Sequence, residues 1–150
     1  MKTRMTRLAG FKHAQWFFNK QDLLLLGGSG PETNHTQVRS ALQARSRVAK
    51  PSKVRRLVLF HLWREPDEPD LTSQEWLSVA VRLMARIGVQ EVPWWAYLGL
   101  ETRYCAIEAE RRAMLSILAY LVRPDGIQVG ATRRSLGRLN SDGSKPEWRG

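Results

Sequence analysis

The sequence predicts a single α+β domain in which helices pack against a sheet, and three observations support this prediction. The chain has 150 residues, close to the usual size of one domain, and 43% of them are apolar. Residues 72–88 carry the pattern of a capped amphipathic helix. Residues 56–63 are rich in β-forming side chains that alternate between two faces.

The first two elements with clear signals are a helix over residues 36–48 and a strand over residues 56–63. In the helix, apolar residues recur along one stripe, as they do when one side of a helix is buried. In the strand, Val58, Phe60 and Leu62 share one face because successive side chains of a strand point to opposite sides. Prolines in the acidic stretch after this strand predict a turn.

The most strongly marked element is the helix over residues 72–88. Thr72 and Glu75 form a capping box, in which each side chain bonds to the other residue's backbone N–H. Gly88 ends the run of apolar residues, as glycine often does at the end of a helix. Arg82 and Arg86 lie on the outer face of this helix.

The chain is strongly basic, with 24 Lys and Arg residues, 14 Asp and Glu residues and a net charge of +10. Such an imbalance favours an anionic partner, and nucleic acid is the first candidate. Residues 39–56 contain many of the basic residues and no acidic one. The predicted nucleic-acid-binding residues are the basic residues of that stretch and the two arginines of the capped helix: Arg39, Arg45, Arg47, Lys50, Lys53, Arg55, Arg56, Arg82 and Arg86. The alternative is a solvated basic surface without a dedicated ligand.

Six tryptophans are many for a chain of this length, and exposed ones could stack on single-stranded bases. Trp94 and Trp95 are adjacent and would point to opposite faces of a strand, one into the core and the other toward the surface. Trp16, Phe17 and Phe18 go all round a helix, so we expect at least one of them to face solvent or to cover a groove. Core packing is the alternative for each tryptophan.

Motifs along residues 11–127 resemble those of mobilisation-type relaxases, the DNA-nicking enzymes of plasmid transfer. The segments that carry the resemblance include Gln15–Gly28, Leu71–Trp76, Trp95–Thr102 and Met114–Gly126, and the basic helix, the first long strand and the acidic turn between them also match. The four named segments are similar, in that order, to the family's opening helix, to the start of a later helix, to a strand, and to the strand that binds the metal. The resemblance implies a relaxase-like antiparallel sheet packed with helices.

The positions that would carry the chemistry of a relaxase hold other residues. Relaxases bind a divalent metal with three histidines and attack the scissile phosphate with a tyrosine. In this chain the resemblance places the tyrosine at Trp16 and two of the histidines at Met114 and Ser116. Tryptophan is not a nucleophile, and Met and Ser do not replace imidazole ligands. The resemblance therefore implies a degenerate domain over residues 11–129, without catalytic residues, metal or cofactor.

Residues 103–122 fit two patterns. Helix propensity alone favours one long helix to Leu121. The resemblance implies a strand instead, closed by a turn at Arg123–Gly126 whose Pro and Gly suit a hairpin. We predict a strand for residues 114–122 and leave residues 103–111 open.

The two ends of the chain are expected to lie outside the domain, with residues 1–10 as an N-terminal segment and residues 130–150 as a flexible basic tail. A lone cysteine, Cys105, excludes a disulfide framework and a cysteine-based zinc site. No apolar run is long enough to span a membrane. We therefore expect a soluble, cytoplasmic protein without a membrane partner.

Two functional hypotheses stay open. The first is a catalytically inactive relaxase-like DNA-binding protein of a mobile genetic element, which favours single-stranded DNA and assists or regulates conjugative transfer. The second is a protein-interaction module on the same fold, for example an inhibitor of a host defence nucleoprotein complex. A less favoured third, an active nuclease with a displaced site, would need Tyr97, Tyr104 or Tyr120 as its nucleophile.

Overall fold

A computed structural model of the protein describes residues 1–8, 14–20, 22–48, 57–65, 67–87, 92–104 and 109–122. Within them the chain forms β1 (Lys2–Leu8), α1 (Gln15–Phe18), β2 (Leu24–Gly28), α2 (His35–Val48), β3 (Leu57–Trp63), α3 (Ser73–Arg86), β4 (Trp94–Tyr104) and β5 (Ala109–Tyr120). The strands make one antiparallel sheet against which the helices lie, so the predicted α+β fold in a single domain is confirmed. The tail predicted at residues 130–150 lies outside the described residues.

The strand order is β1-β3-β5-β4-β2, which puts β5 at the centre of the sheet. β4 and β5 pair from Trp94↔Ala119 to Tyr104↔Ala109. The strand predicted for residues 114–122 is confirmed as far as the end of β5, and the described part of the open stretch 103–111 belongs to the same two strands. Helix propensity is overridden here because successive side chains of β5 are buried on both faces of the sheet, as expected for a covered central strand.

The first residues of the chain, expected to form a separate N-terminal segment, are part of the sheet. They form β1, which pairs with β3 starting at Lys2↔Trp63. Five of the seven residues of β1 are Lys, Arg or Thr, and only Met5 and Leu8 are apolar, so its sequence shows little apolar pattern. The α-amino group of Met1 forms a buried ion pair with the carboxylate of Glu68, which ties the start of β1 to the acidic turn after β3.

α3 covers one face of the sheet, which we call the α3 face. Its core consists of apolar side chains, chiefly Val58, Phe60, Leu62, Ala96, Leu115, Ile117 and Ala119 from the sheet and Trp76, Val79, Ala80, Leu83 and Met84 from α3. The predicted capping box is confirmed. The backbone N–H of Glu75 donates to the Thr72 hydroxyl (3.2 Å), and the backbone N–H of Thr72 donates to the Glu75 carboxylate (3.1 Å).

α1 and α2 cover the opposite face, which we call the α1/α2 face. Its core includes Phe17, Phe18, Val38 and Leu42 from the helices and Leu57, Leu59, Trp95, Tyr97, Leu118 and Tyr120 from the sheet. The helix predicted over residues 36–48 is confirmed as α2. Trp94 and Trp95 point to opposite faces as predicted, but only 6% and 2% of them is exposed. The expectation that one of them stands at the surface was wrong, because each face has its own helical layer.

The segment that resembles the opening helix of relaxases forms a single helical turn, α1, and an edge strand, β2. A Cβ at Gly28 would lie 2.3 Å from the backbone oxygen of Trp94, so only glycine lets β2 approach β4 at this point. Among the three aromatic residues of α1, Trp16 is 46% exposed whereas Phe17 and Phe18 are buried. The prediction that at least one faces solvent is confirmed.

Candidate functional site

Four polar side chains form a row across the middle of the sheet. Arg4, His61, Ser116 and Tyr97 are successive register partners on β1, β3, β5 and β4: Arg4↔His61, His61↔Ser116 and Ser116↔Tyr97. Partners in an antiparallel sheet share a face, with Cβ atoms about 4.5–5.5 Å apart. Because Tyr97 belongs to the core of the α1/α2 face, the whole row points toward that face. We call these four residues the polar row.

The two central members of the polar row carry buried atoms that lack hydrogen-bond partners among the described residues. These atoms are Nε2 of His61 and Oγ of Ser116. Ser116 is 1% exposed, so water has little access to its hydroxyl. Buried polar groups in proteins almost always have a partner, because an unmatched one costs about 1–3 kcal/mol. This pair is therefore a feature of the sheet that a bound group could satisfy.

The hydroxyl of Tyr97, at the far end of the row, has by contrast a hydrogen-bond partner. Its hydroxyl lies 3.1 Å from Nδ1 of His35, the first residue of α2, and Nε2 of His35 lies 2.9 Å from the backbone oxygen of Phe18. A carbonyl oxygen only accepts, so Nε2 donates to it, and in the tautomer with its proton on Nε2 the Nδ1 atom accepts from the Tyr97 hydroxyl. His35 thereby joins α1, α2 and the sheet.

The environment of Tyr97 keeps its hydroxyl protonated. Burial, and then the negative charge of Glu32, raise the pKa of Tyr97 well above its usual value. Glu32 itself accepts a hydrogen bond from the indole N–H of Trp95 (3.2 Å). A buried, protonated hydroxyl that donates to His35 does not resemble an activated nucleophile. The hypothesis of an active nuclease with Tyr97 as its nucleophile therefore has no support from this geometry.

Positive charge gathers at the other end of the row. Burial, followed by the charges of Lys20 and Arg4, lowers the pKa of His61 to about 4. His61 is therefore neutral near pH 7 and lies in a positive electrostatic potential. Lys20 and Arg4 are both exposed, and the Lys20 ammonium lies 5.1 Å from the ring centroid of Trp16. An aromatic surface and two cations thus lie on the solvent side of the site.

The three positions that the relaxase resemblance singled out lie on the same side of the sheet. Met114 and Ser116 are two residues apart on β5 and share its α1/α2 face, and Trp16 belongs to α1, which covers that face. A divalent metal does not fit the residues found here. Met114 offers a thioether, His61 is the one imidazole of the polar row, and the nearby cations repel a metal ion. Within the described ranges no three His, Cys, Asp or Glu residues come close enough to hold a metal.

His61 was not among the residues predicted from the sequence, because it is not part of a His-x-His pair. A signal was nevertheless present. In β3 the residues Leu57, Leu59 and His61 alternate on the α1/α2 face, so a titratable ring occupies an inward position of an otherwise apolar strand. Such a ring is either hydrogen-bonded or available to a ligand.

The predicted basic residues do not form one surface. Arg39 is exposed and Arg45 half-buried on α2, and Arg39 donates a hydrogen bond to the side chain of Gln15 (3.2 Å). Arg82 and Arg86 are exposed on α3, which lies on the other side of the sheet. The structure therefore separates the two groups. The other predicted positions cannot be compared with this arrangement. Lys50, Lys53, Arg55 and Arg56 lie outside the described residues, and so does the side chain of Arg47.

Comparisons with models of protein families, with curated proteins and with solved structures found no match to this chain. The relaxase resemblance therefore stays a prediction from motifs, and the polar row and its surroundings are the basis for a proposed function. No helix in the part of the chain that the structure describes is long and apolar enough to cross a membrane.

Proposed function

We propose that the protein binds single-stranded DNA on its α1/α2 face. In this proposal it is a catalytically inactive, relaxase-like, cytoplasmic protein of a mobile genetic element, which assists or regulates conjugative transfer. The observation that carries the proposal is a pair of buried polar atoms, on His61 and Ser116, that lack partners among the described residues and lie next to the cations Arg4 and Lys20.

Charge supports a nucleic acid as the partner. The net charge of +10 raises the local concentration of polyanions around the whole molecule. On the α1/α2 face, the exposed cations Arg4, Lys20 and Arg39 can contact backbone phosphates, which supply most of the affinity and salt dependence of non-specific binding.

A single strand is favoured over a duplex because of Trp16. Its indole is 46% exposed, and bases that are not paired can stack on such a ring. Lys20, close to the same ring, would contact the phosphate next to a stacked base. Trp94 and Trp95 cannot take this role, because both are buried in the cores of the sheet.

The site also supports binding without cleavage. A relaxase mechanism needs a nucleophile and a metal that polarises the phosphate. Trp16 and Met114 supply neither, and the potential around His61 is positive. Binding of a strand that is not cut suits a protein that assists or regulates transfer.

One observation favours the alternative function, a protein-interaction module such as an inhibitor of a host defence nucleoprotein complex. Leu24 is 59% exposed on the edge strand β2, where an apolar side chain and a sheet edge are both available to a protein partner. Reversing the charges of Arg45, Arg47 and Arg55 separates the two functions. The reversal should abolish DNA binding, whereas a contact through Leu24 should survive it.

The direct test is fluorescence anisotropy with labelled single-stranded and double-stranded oligonucleotides across a salt series. We expect tighter binding of the single strand and a steep loss of affinity as salt rises. Absence of binding at low salt would remove the DNA proposal and leave the protein-interaction module.

A further inference from the structure

We infer that His61 and Ser116, with Lys20 and Arg4 beside them, form a metal-free site for one phosphate group. We further infer that this site holds a single backbone phosphate of the bound strand. The second step rests on the proposed function, whereas the first does not.

The geometry supplies two donors at one point of the sheet. His61 and Ser116 are register partners on β3 and β5, so their side chains are neighbours on the same face. The Ser116 hydroxyl is buried and lacks a partner among the described residues, as does Nε2 of His61. A hydroxyl donates to phosphate oxygens, and so does Nε2 of a neutral imidazole in the tautomer that carries its hydrogen there.

The charges decide what kind of ligand suits these donors. Burial is the main cause that disfavours the protonated form of His61, and the positive charges of Lys20 and Arg4 add to it. Those two charges disfavour a metal cation at this end of the row and favour an anion. The negative charge of Glu32 acts on Tyr97, at the other end of the row, and Glu32 accepts a hydrogen bond from Trp95. The potential is therefore positive at the His61 end, and an anion would bind there.

Phosphate fits this end of the row better than a carboxylate or a halide would. It offers several oxygens, so it can accept from the Ser116 hydroxyl and from Nε2 of His61 while it meets the two cations. Lys20 lies beside the exposed ring of Trp16, which gives the base of the same nucleotide a surface to stack on. In this arrangement protein cations neutralise the phosphate, where the resemblance to relaxases implies a metal.

The first test is a titration of the ¹⁵N-labelled full-length protein with inorganic phosphate, followed by NMR. We expect the ring signals of His61 and the amide signal of Ser116 to shift with saturation. Ser116→Ala removes one donor and should weaken phosphate binding about tenfold. Lys20→Gln, a surface change that cannot disturb the core, should weaken it by a similar factor. Arg82→Gln, which removes one charge on the α3 face, should leave the affinity within about twofold.

Three outcomes would overturn the site: no shift at His61, an unchanged affinity in Ser116→Ala, or an equal loss in Arg82→Gln. The last of these would mean that only net charge matters. A circular dichroism spectrum of each variant shows whether it is folded. If Ser116→Ala does not fold, Lys20→Gln still tests the site.

Titration of the same variants with a labelled single-stranded oligonucleotide distinguishes this inference from the proposed function. If the wild-type protein binds the oligonucleotide, and Ser116→Ala weakens the binding of both inorganic phosphate and the oligonucleotide, both steps are supported. If the oligonucleotide binds equally well to Ser116→Ala, the backbone-phosphate step fails and the proposed function stands. If inorganic phosphate binds as expected but no oligonucleotide does, the proposed function and the second step fail, and the site is one for free phosphate.

Discussion

The two faces of the sheet are built from the same strands but differ in what they bury. On the α3 face, inward positions of β3 and β5 such as Phe60 and Ile117 are apolar and pack under α3. On the α1/α2 face, the inward positions next to them are His61 and Ser116, whose Nε2 and Oγ atoms have no hydrogen-bond partner in the described part of the chain. Apolar residues in these places would be less costly to bury. The proposed function accounts for this difference, because polar groups on the α1/α2 face would be available to a ligand, whereas the inward positions on the α3 face serve packing alone.

The largest expected effect is on the α3 face. Leu83 is fully buried in its core, so Leu83→Ala should lower the free energy of unfolding by about 2–5 kcal/mol, from lost burial and the cavity left behind. Urea unfolding measures the loss. Val81→Ala on the same helix is the control, because Val81 is 50% exposed and should cost at most about 0.5 kcal/mol. Similar losses in the two variants would contradict a core on this face.

The next effect is a pH dependence that arises on the α1/α2 face. The pKa of His61 is about 4 in the folded protein, against the ordinary histidine value of 6.5, so the unfolded chain binds the proton first as the pH falls. Stability should therefore be full above about pH 6.5 and fall as the pH drops toward about 4, by roughly 3 kcal/mol in total.

Urea unfolding between pH 4 and pH 7 in phosphate-free buffer measures this loss in the wild-type protein and in His61→Gln. The variant lacks the titrating ring, so its stability should fall less steeply across this range than that of the wild-type protein. Parallel curves for the two proteins would show that His61 does not titrate differently in the folded and unfolded states.

A smaller effect is expected at the part of the α1/α2 face where buried polar side chains have hydrogen-bond partners. Tyr97→Phe removes the hydroxyl that donates to Nδ1 of His35, and should cost about 1–2 kcal/mol because His35 loses that partner. A double-mutant cycle with His35→Phe isolates the pair from the packing of the rings. A coupling energy near zero would mean that this hydrogen bond does not help to hold α2 on the sheet.

The smallest effects compare two neighbouring residues of β5 that point to opposite faces. Ser116→Ala should leave stability unchanged or raise it by up to about 1 kcal/mol, because it removes a buried hydroxyl that has no partner among the residues the structure describes. Ile117→Val on the α3 face should lower it by about 0.5–1.5 kcal/mol. Thermal unfolding of both variants shows directly whether each substitution raises or lowers stability. A loss in Ser116→Ala comparable to that of Ile117→Val would show that the hydroxyl has a stabilising partner.

The parts of the fold that could be predicted from sequence are those with local signals. The capping box at Thr72 and Glu75 and the regular apolar spacing predict α3, and the alternation around Phe60 predicts β3. β1 was not predicted, because its pairing with β3 and its contact with Glu68 join residues far apart in the sequence. Similarly, helix propensity in residues 109–113 gives way to pairing with β4.

The candidate site was predicted only in part, for the same reason. The motif positions Met114 and Ser116 do share one face of β5, as their spacing requires. His61 was missed, because its relation to Ser116 depends on which strands are neighbours. The grouping of Arg82 with Arg39 as one set of binding residues ignored the sheet, which lies between their helices.

The measurement that tests the difference between the faces most directly uses two charge-matched double variants. Arg4→Gln with Lys20→Gln removes two cations beside the polar row, and Arg82→Gln with Arg86→Gln removes two from α3. Both lower the net charge equally, so anisotropy with a single-stranded oligonucleotide isolates position from charge. We predict that the first pair lowers affinity at least about tenfold and reduces the salt slope by about 1.4, and that the second changes affinity by at most about twofold. Equal losses in the two double variants would contradict a binding site on the α1/α2 face.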